Sequence, residues 1–252
     1  TPMMEKGYAL KPNFWRAPTD NDMGEGADLQ RRFVDWREPA INLKKEGLKW
    51  AKEGNNMVVT AEYDMPKLEC TLAMKYIVTA DGQLLVNQSL KASENKKNKP
   101  LLFRFGMQMV MPEAYTDIEY YGKGPEENYI DRNSAQTVGL YAQKVAEQYH
   151  PYVRPQESGN KTDVRWLELM GSEGRGIRIE GLQPLSVSAM PYRAEDLDPG
   201  VESKRQIHYS DIEPRDEVVL HVDLAQRGLG GDTSWGATPR DEYRLTDDEY
   251  SY

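Results

Sequence analysis

The sequence predicts an all-β fold, a large antiparallel β-sandwich, and three observations carry that prediction. From about Ile41 onward apolar residues recur with period two, the spacing that places alternate side chains on one face of a strand. Clusters of Gly, Pro, Asn and Asp break the chain between these segments. No alternation of helices with strands of the doubly wound kind is found, nor any fixed-period repeat. The 252 residues fit one domain spanning 1–252, since all-β sandwiches commonly run to roughly 200 to 250 residues as a single unit. With 38% apolar and 29% charged residues, such a chain buries a sizeable core without metal or disulfide support.

Taken in order, the chain first holds Asn13-Phe-Trp-Arg-Ala-Pro-Thr-Asp-Asn-Asp-Met-Gly24, which reads as a structured loop. A calcium loop counted from Asp20 would put Gly24 at a ligand position and Arg31 where the closing glutamate belongs, so the acids are read as bonding to nearby backbone N–H groups instead. Leu29, Phe33 and Trp36 recur at i, i+4 and i+7 and predict one short helix ended by Pro39. Met57, Val59, Ala61 and Tyr63 then alternate with Val58, Thr60, Glu62 and Asp64 as a strand. Cys70, Leu72, Met74, Tyr76 and Val78 repeat the pattern, and an Asp81-Gly82 turn leads to Leu84, Val86 and Leu90 in a hairpin. Further strands are predicted at 101–111, 116–121, 137–144, 162–170, 176–180, 185–189 and 217–224. The basic run Lys96 to Lys99 is read as a solvated hairpin connection.

Composition narrows the function classes. A net charge of −9 argues against nucleic acid and anionic membrane surfaces, whose recognition rests on clustered Lys and Arg, and a neutral ligand fits better. No apolar run approaches the ~18 residues of a membrane span. Cys70, the single cysteine, excludes an internal disulfide and is read as inert core. The opening Thr-Pro-Met-Met has no signal-peptide pattern, and the chain reads as a piece of a longer polypeptide.

Three loops concentrate candidate residues. Arg227 to Pro239 carries Gly228, Gly230, Gly231 and Gly236 around Trp235, and a tryptophan on such a loop can stack on the C–H face of a sugar or plug a core. Gly122 to Arg132 holds Glu127, Asn128 and Arg132, and Tyr149 to Asn160 holds His150, Arg154 and Pro155; both read as loop support. Glu126 and Glu127, adjacent in the chain, point to opposite sides and make a poor glycosidase pair. His150, His208 and His221 lie far apart without zinc spacing, His221 reads as a sheet residue, and neither a nucleophile elbow nor a phosphate loop is present.

Three segments together carry a family pattern: Asn13-Phe-Trp-Arg-Ala-Pro-Thr-Asp-Asn-Asp22, Gly124-Pro-Glu-Glu-Asn-Tyr-Ile-Asp-Arg132 and Gly228-Leu-Gly-Gly-Asp-Thr-Ser-Trp-Gly236. Tyr152-Val-Arg-Pro-Gln-Glu-Ser-Gly159 and Ser188-Ala-Met-Pro-Tyr192 fall between them in order. The chain resembles, over nearly its whole length, the C-terminal domain of the glycoside hydrolase family two β-galactosidases. The resemblance implies a supersandwich similar to galactose mutarotase, at the end of a longer chain that hydrolyses terminal β-D-galactosides with retention. It implies no catalytic residue here, because the family's carboxylates and magnesium site lie in a TIM-barrel domain that this chain lacks. Trp235, with Asp232 and Ser234, would contribute to that barrel's sugar site, and the backbone of Arg154 and Pro155 would hold a structural sodium. Thr233 departs from the family's second Asp. The family also implies a soluble bacterial-type protein, cytoplasmic or periplasmic, with a homo-oligomeric full-length form. Two alternatives stay open: a free-standing epimerase using His150 with Glu127 or Glu157, and a carbohydrate-binding module.

Overall fold

The computed structural model describes residues 9–24, 29–94, 101–171, 173–200, 207–233 and 236–252. It is an all-β, antiparallel chain that divides into two compact units, Thr1–Phe33 with Leu102–Leu245, and Val34–Leu101 with Thr246–Tyr252. Among the described residues α-helix is confined to three short pieces, α1 (Asp20–Gly24), α2 (Leu29–Arg37) and α3 (Ala194–Leu197). α2 follows from the Leu29, Phe33, Trp36 spacing, and Phe33 and Trp36 are both buried.

The first unit is a seven-stranded antiparallel sheet in the order β1 (Lys11–Asn13), β6 (Arg104–Pro112), β11 (Glu217–Gln226), β10 (Gly176–Met190), β9 (Lys161–Gly171), β7 (Tyr115–Gly124) and β8 (Thr137–Lys144). Its core includes Phe103, Phe105, Met111, Leu167, Leu169, Val187 and Leu220, none accessible to solvent. The side chain of Phe103 is a centre of this packing: Trp15 meets it edge-on at 5.0 Å and Phe33 lies at 4.5 Å. The predicted strands 176–180 and 185–189 are one strand, β10. Gly181 and Pro184, which lie between the two predicted segments, sit where the pairing with β9 shifts register between Glu180 and Leu185.

The second unit is a five-stranded sheet in the order β12 (Glu249–Ser251), β5 (Leu84–Ala92), β4 (Cys70–Val78), β3 (Asn56–Met65) and β2 (Asn42–Glu53). β4 and β5 form the predicted hairpin, in register from Cys70–Ala92 to Val78–Leu84. Its connection is longer than a two-residue turn, because Thr79 donates its N–H to the Gln83 carbonyl at 3.0 Å and Gly82 takes φ 90° inside that loop. Cys70 is buried, as expected, and its thiol donates to the Leu68 carbonyl at 3.1 Å. The Lys96 to Lys99 connection lies outside the described residues.

Candidate functional site

The loops that carried the family pattern all belong to the first unit, and side chains tie them to one another. Arg16 is the hub. It follows β1 in a wholly buried stretch, Phe14 to Ala17, and its guanidinium is fully enclosed together with the carboxylate of Asp22 in α1. Arg16 donates to both Asp22 oxygens, Nη2 to Oδ1 at 2.8 Å and Nε to Oδ2 at 3.2 Å. Its remaining N–H groups reach across the sheet end, Nη1 to the Arg227 carbonyl at 2.5 Å and to Gln226 Oε1 at 3.1 Å, and Nη2 to the Gly228 carbonyl at 3.1 Å. The planar fork of arginine suits this task, since it can hold a carboxylate bidentately and still donate to two backbone oxygens.

Asp131 grips the same glycine-rich segment from the other side. Its carboxylate accepts the N–H of Leu229 at 3.0 Å and that of Gly230 at 2.8 Å. The closeness explains the glycine at 228, where a Cβ would lie 2.6 Å from Asp131 Oδ2. Gly231, at φ 97°, brings its backbone against Asn21, whose Nδ2 would stand 2.7 Å from a Cβ. Asp232, the described member of the predicted substrate group, is exposed and accepts from Arg240 Nε at 3.0 Å. Ser234 and Trp235 lie outside the described residues.

The four predicted supporting residues brace the two long loops. Glu127 accepts from Arg132 Nη2, from the Tyr152 hydroxyl and, at 2.8 Å, from the Gly159 N–H, so one carboxylate joins the 122–132 and 149–160 loops. Arg132 also stands over the Tyr129 ring at 5.3 Å. Asn128 is fully buried: Nδ2 donates to the Lys123 and Glu126 carbonyls at 3.1 and 3.0 Å, and Oδ1 accepts from the Thr162 N–H at 2.9 Å. Its backbone carbonyl receives Asn160 Nδ2 at 2.8 Å. His150 is exposed and packs its ring edge-on against Tyr152 at 4.4 Å. The neighbouring Lys161 ammonium, buried against Gln148 Oε1 at 2.9 Å, has its pKa pushed down to about 8 by burial, against the pull of Glu127 and Glu126.

Arg154 and Pro155 sit where the 149–160 loop meets α1. Arg154 donates to Asp20 Oδ1 at 2.7 Å and to the Pro18 carbonyl at 2.8 Å, while its own carbonyl accepts Gln156 Nε2 at 3.1 Å. Pro155 is buried. Among the described residues no group of three or more His, Cys, Asp or Glu is placed to hold a metal ion.

Beneath these loops lies a second buried ionic group. Arg104 Nη2 donates to Glu157 Oε1 at 2.8 Å, and Arg104 Nε stands 3.5 Å from Asp223 Oδ2, all three side chains being buried. Burial raises the Asp223 pKa to about 7 although Arg104 opposes it, and burial together with Arg104 holds His221 well below the usual histidine range. His221 lies on β11 with Nδ1 3.1 Å from Ser188 Oγ, the sheet role predicted for it. Glu157, His221 and Arg104 line a cleft with about 10 Å³ of space for solvent, about one water and far less than a sugar ring needs. Both carboxylates that the epimerase alternative would use, Glu127 and Glu157, are therefore committed to protein donors.

Sequence reasoning singled out Glu127, Asn128 and Arg132 within a loop between strands, but it passed over Arg16, Asp131 and Arg104. The signal for Arg16 lay within Asn13 to Asp22: an arginine between Trp15 and Ala17 has to bury its charge, and Asp22 is near enough to pair with it.

The loops that converge on Gly228 to Gly231 are the same segments that carried the family pattern. The match to the family described as "Beta galactosidase small chain" covers residues 1–252. The chain belongs to that family. Among its curated relatives, the β-galactosidase of Priestia megaterium is 34% identical over 245 residues, which cover 97% of this chain and 22% of the relative. That of Halalkalibacterium halodurans is 32% identical over 242 residues, 94% of this chain and 23% of the relative. The β-galactosidase BgaC of Bifidobacterium adolescentis is 29% identical over 240 residues, 93% of this chain and 22% of the relative. The chain thus spans under a quarter of the length of these relatives, so this small-chain unit corresponds to one part of a much larger polypeptide.

Proposed function

We propose that this chain is the C-terminal module, 1–252, of a β-galactosidase that hydrolyses terminal β-D-galactosides with retention. The observation that supports it most directly is the match of the whole chain to the small-chain family, together with relatives named β-galactosidase that are over four times its length. The covalent chemistry, with its magnesium, belongs in this reading to a TIM-barrel domain of the same polypeptide. The module's contribution is the loop from Gly228 to Gly236, carrying Trp235 as a sugar platform with Asp232 and Ser234 beside it. The clamp of Arg16 and Asp131 supports that assignment, because a loop that completes a neighbour's site has to be held in one place.

The sodium reading stays with the backbone oxygens of Arg154 and Pro155. The Arg154 oxygen accepts one hydrogen bond from Gln156, which leaves one lone pair for a cation and fits a weak site. Assembly of the full-length protein as a homo-oligomer, and its residence in the bacterial cytoplasm or periplasm, go with the same reading. No helix among the described residues is long and apolar enough to cross a membrane.

The test is kinetic. In the full-length enzyme Trp235→Ala should raise KM for lactose by roughly one to two orders of magnitude, the scale of a lost aromatic anchor, with unchanged circular dichroism. Unaltered KM would refute the assignment of the loop.

A further inference from the structure

One face of the five-stranded sheet of the second unit is apolar over most of its length, buried at one end and more exposed at the other. Cross-strand registry orders the face into rows. The rows Met65–Cys70–Ala92 and Tyr63–Leu72–Leu90 are followed by Ala61–Met74–Gln88; on β3, β4 and β5 every member of these rows apart from Tyr63 is buried, while Leu43 and Leu48, which continue two of them on the edge strand β2, are exposed. Two further rows continue the same alternation, Trp50–Val59–Tyr76–Val86 and Lys52–Met57–Val78–Leu84. In the first of these Val59, Tyr76 and Val86 are half-buried while Trp50 is 72% exposed, and the second is open, with Leu84 55%, Val78 46% and Met57 37% exposed. The opposite face at this level alternates the row Lys49–Thr60–Lys75–Asn87 with the row Ala51–Val58–Ile77–Leu85, in which Val58 is buried and Leu85 exposed. A contiguous apolar surface that includes an exposed tryptophan marks an interface.

We propose that the more exposed end, centred on Trp50, Tyr76, Val78 and Leu84, is an interdomain surface. Its occupant is a part of the same polypeptide outside these 252 residues, apolar at its centre and carrying carboxylates at its rim. The inference rests on the reading of the chain as a module of a longer β-galactosidase. Two observations select this occupant over a second copy. The relatives offer the material, since the chain accounts for only 22 to 23% of their length. Besides Lys44, which lies beside Glu62 and Asp64, the outer strand carries Lys45, Lys49 and Lys52 against Glu46 and Glu53, so two copies meeting at this edge would set lysines against lysines, whereas an acidic rim pairs with them.

The experiment uses the full-length polypeptide with benzoylphenylalanine incorporated at position 50, and at position 75 on the opposite face as a control. After irradiation, peptides are mapped by mass spectrometry in a mixture of ¹⁵N-labelled and unlabelled protein. Cross-links from position 50 to residues of the same polypeptide outside this chain, several-fold above those from position 75, are expected. Cross-links joining labelled to unlabelled copies, or none above the control, would overturn the proposal. Lactose hydrolysis by the same preparation separates the two readings. An active enzyme without the position-50 cross-links refutes the interdomain surface alone, and a cross-linked but inactive wild-type enzyme refutes only the β-galactosidase assignment.

Discussion

Arg16 and Asp22 form a fully enclosed ion pair that also holds the carbonyls of Arg227 and Gly228. Removing one partner of such a pair strands a buried charge, so Arg16→Met should lower unfolding stability by about 3 to 5 kcal/mol. The double substitution Arg16→Met with Asp22→Leu should recover most of that loss, as read from urea midpoints. Asp223 makes a pH-dependent contribution. Its carboxyl keeps a proton up to about pH 7 in the fold but releases it near 3.8 when unfolded, so between those values the folded state binds more protons. The stabilisation is fully present below about pH 4 and is lost as pH rises through 7. The urea midpoint of the wild-type chain should therefore fall between pH 5 and pH 8 relative to that of Asp223→Asn, whose side chain does not titrate; parallel profiles would refute the assignment.

At the scale of elements, the glycine-rich segment is positioned by backbone hydrogen bonds and by the absence of a Cβ. Gly228→Ala would place its methyl 2.6 Å from Asp131 Oδ2 and 2.9 Å from Tyr243 Cβ. This crowding should cost about 1 to 3 kcal/mol and, in the full-length enzyme, raise KM for lactose more than it lowers kcat. What was legible in the sequence follows the same division. Alternation gave the bounds of β4 and β8, because each strand has one buried or half-buried face. β10 read as two strands because a bulge and a turn use the same residues, Gly and Pro. β12 was missed because three residues carry no period. Within the site, Glu127, Asn128 and Arg132 were visible as a dense polar loop. The grip of Asp131 on Leu229 was not, since it joins residues 98 positions apart and nothing local in either segment encodes the other.

For the whole molecule, the carboxylates that the family pattern and the epimerase alternative single out are already engaged. Glu127 serves three donors, Glu157 accepts from Arg104 and Gln226, and Asp22 is held by Arg16. A carboxylate fixed by protein donors is poorly placed to attack or protonate a glycosidic bond. The isolated 252-residue chain should therefore release no glucose from lactose above a buffer blank in a coupled assay, while the full-length polypeptide does. Turnover by the isolated chain would mean that the catalytic pair lies here after all.

The way Asp131 holds its loop also bears on how such a module can change over time. It binds the amides of Leu229 and Gly230, groups that nearly every residue possesses, and leaves their side chains out of the bargain. Substitutions in the positions that follow, such as at the exposed Thr233, can thus alter what the loop displays without altering where it is displayed. A scaffold of this kind separates the chemistry a loop offers from the hydrogen bonds that hold it.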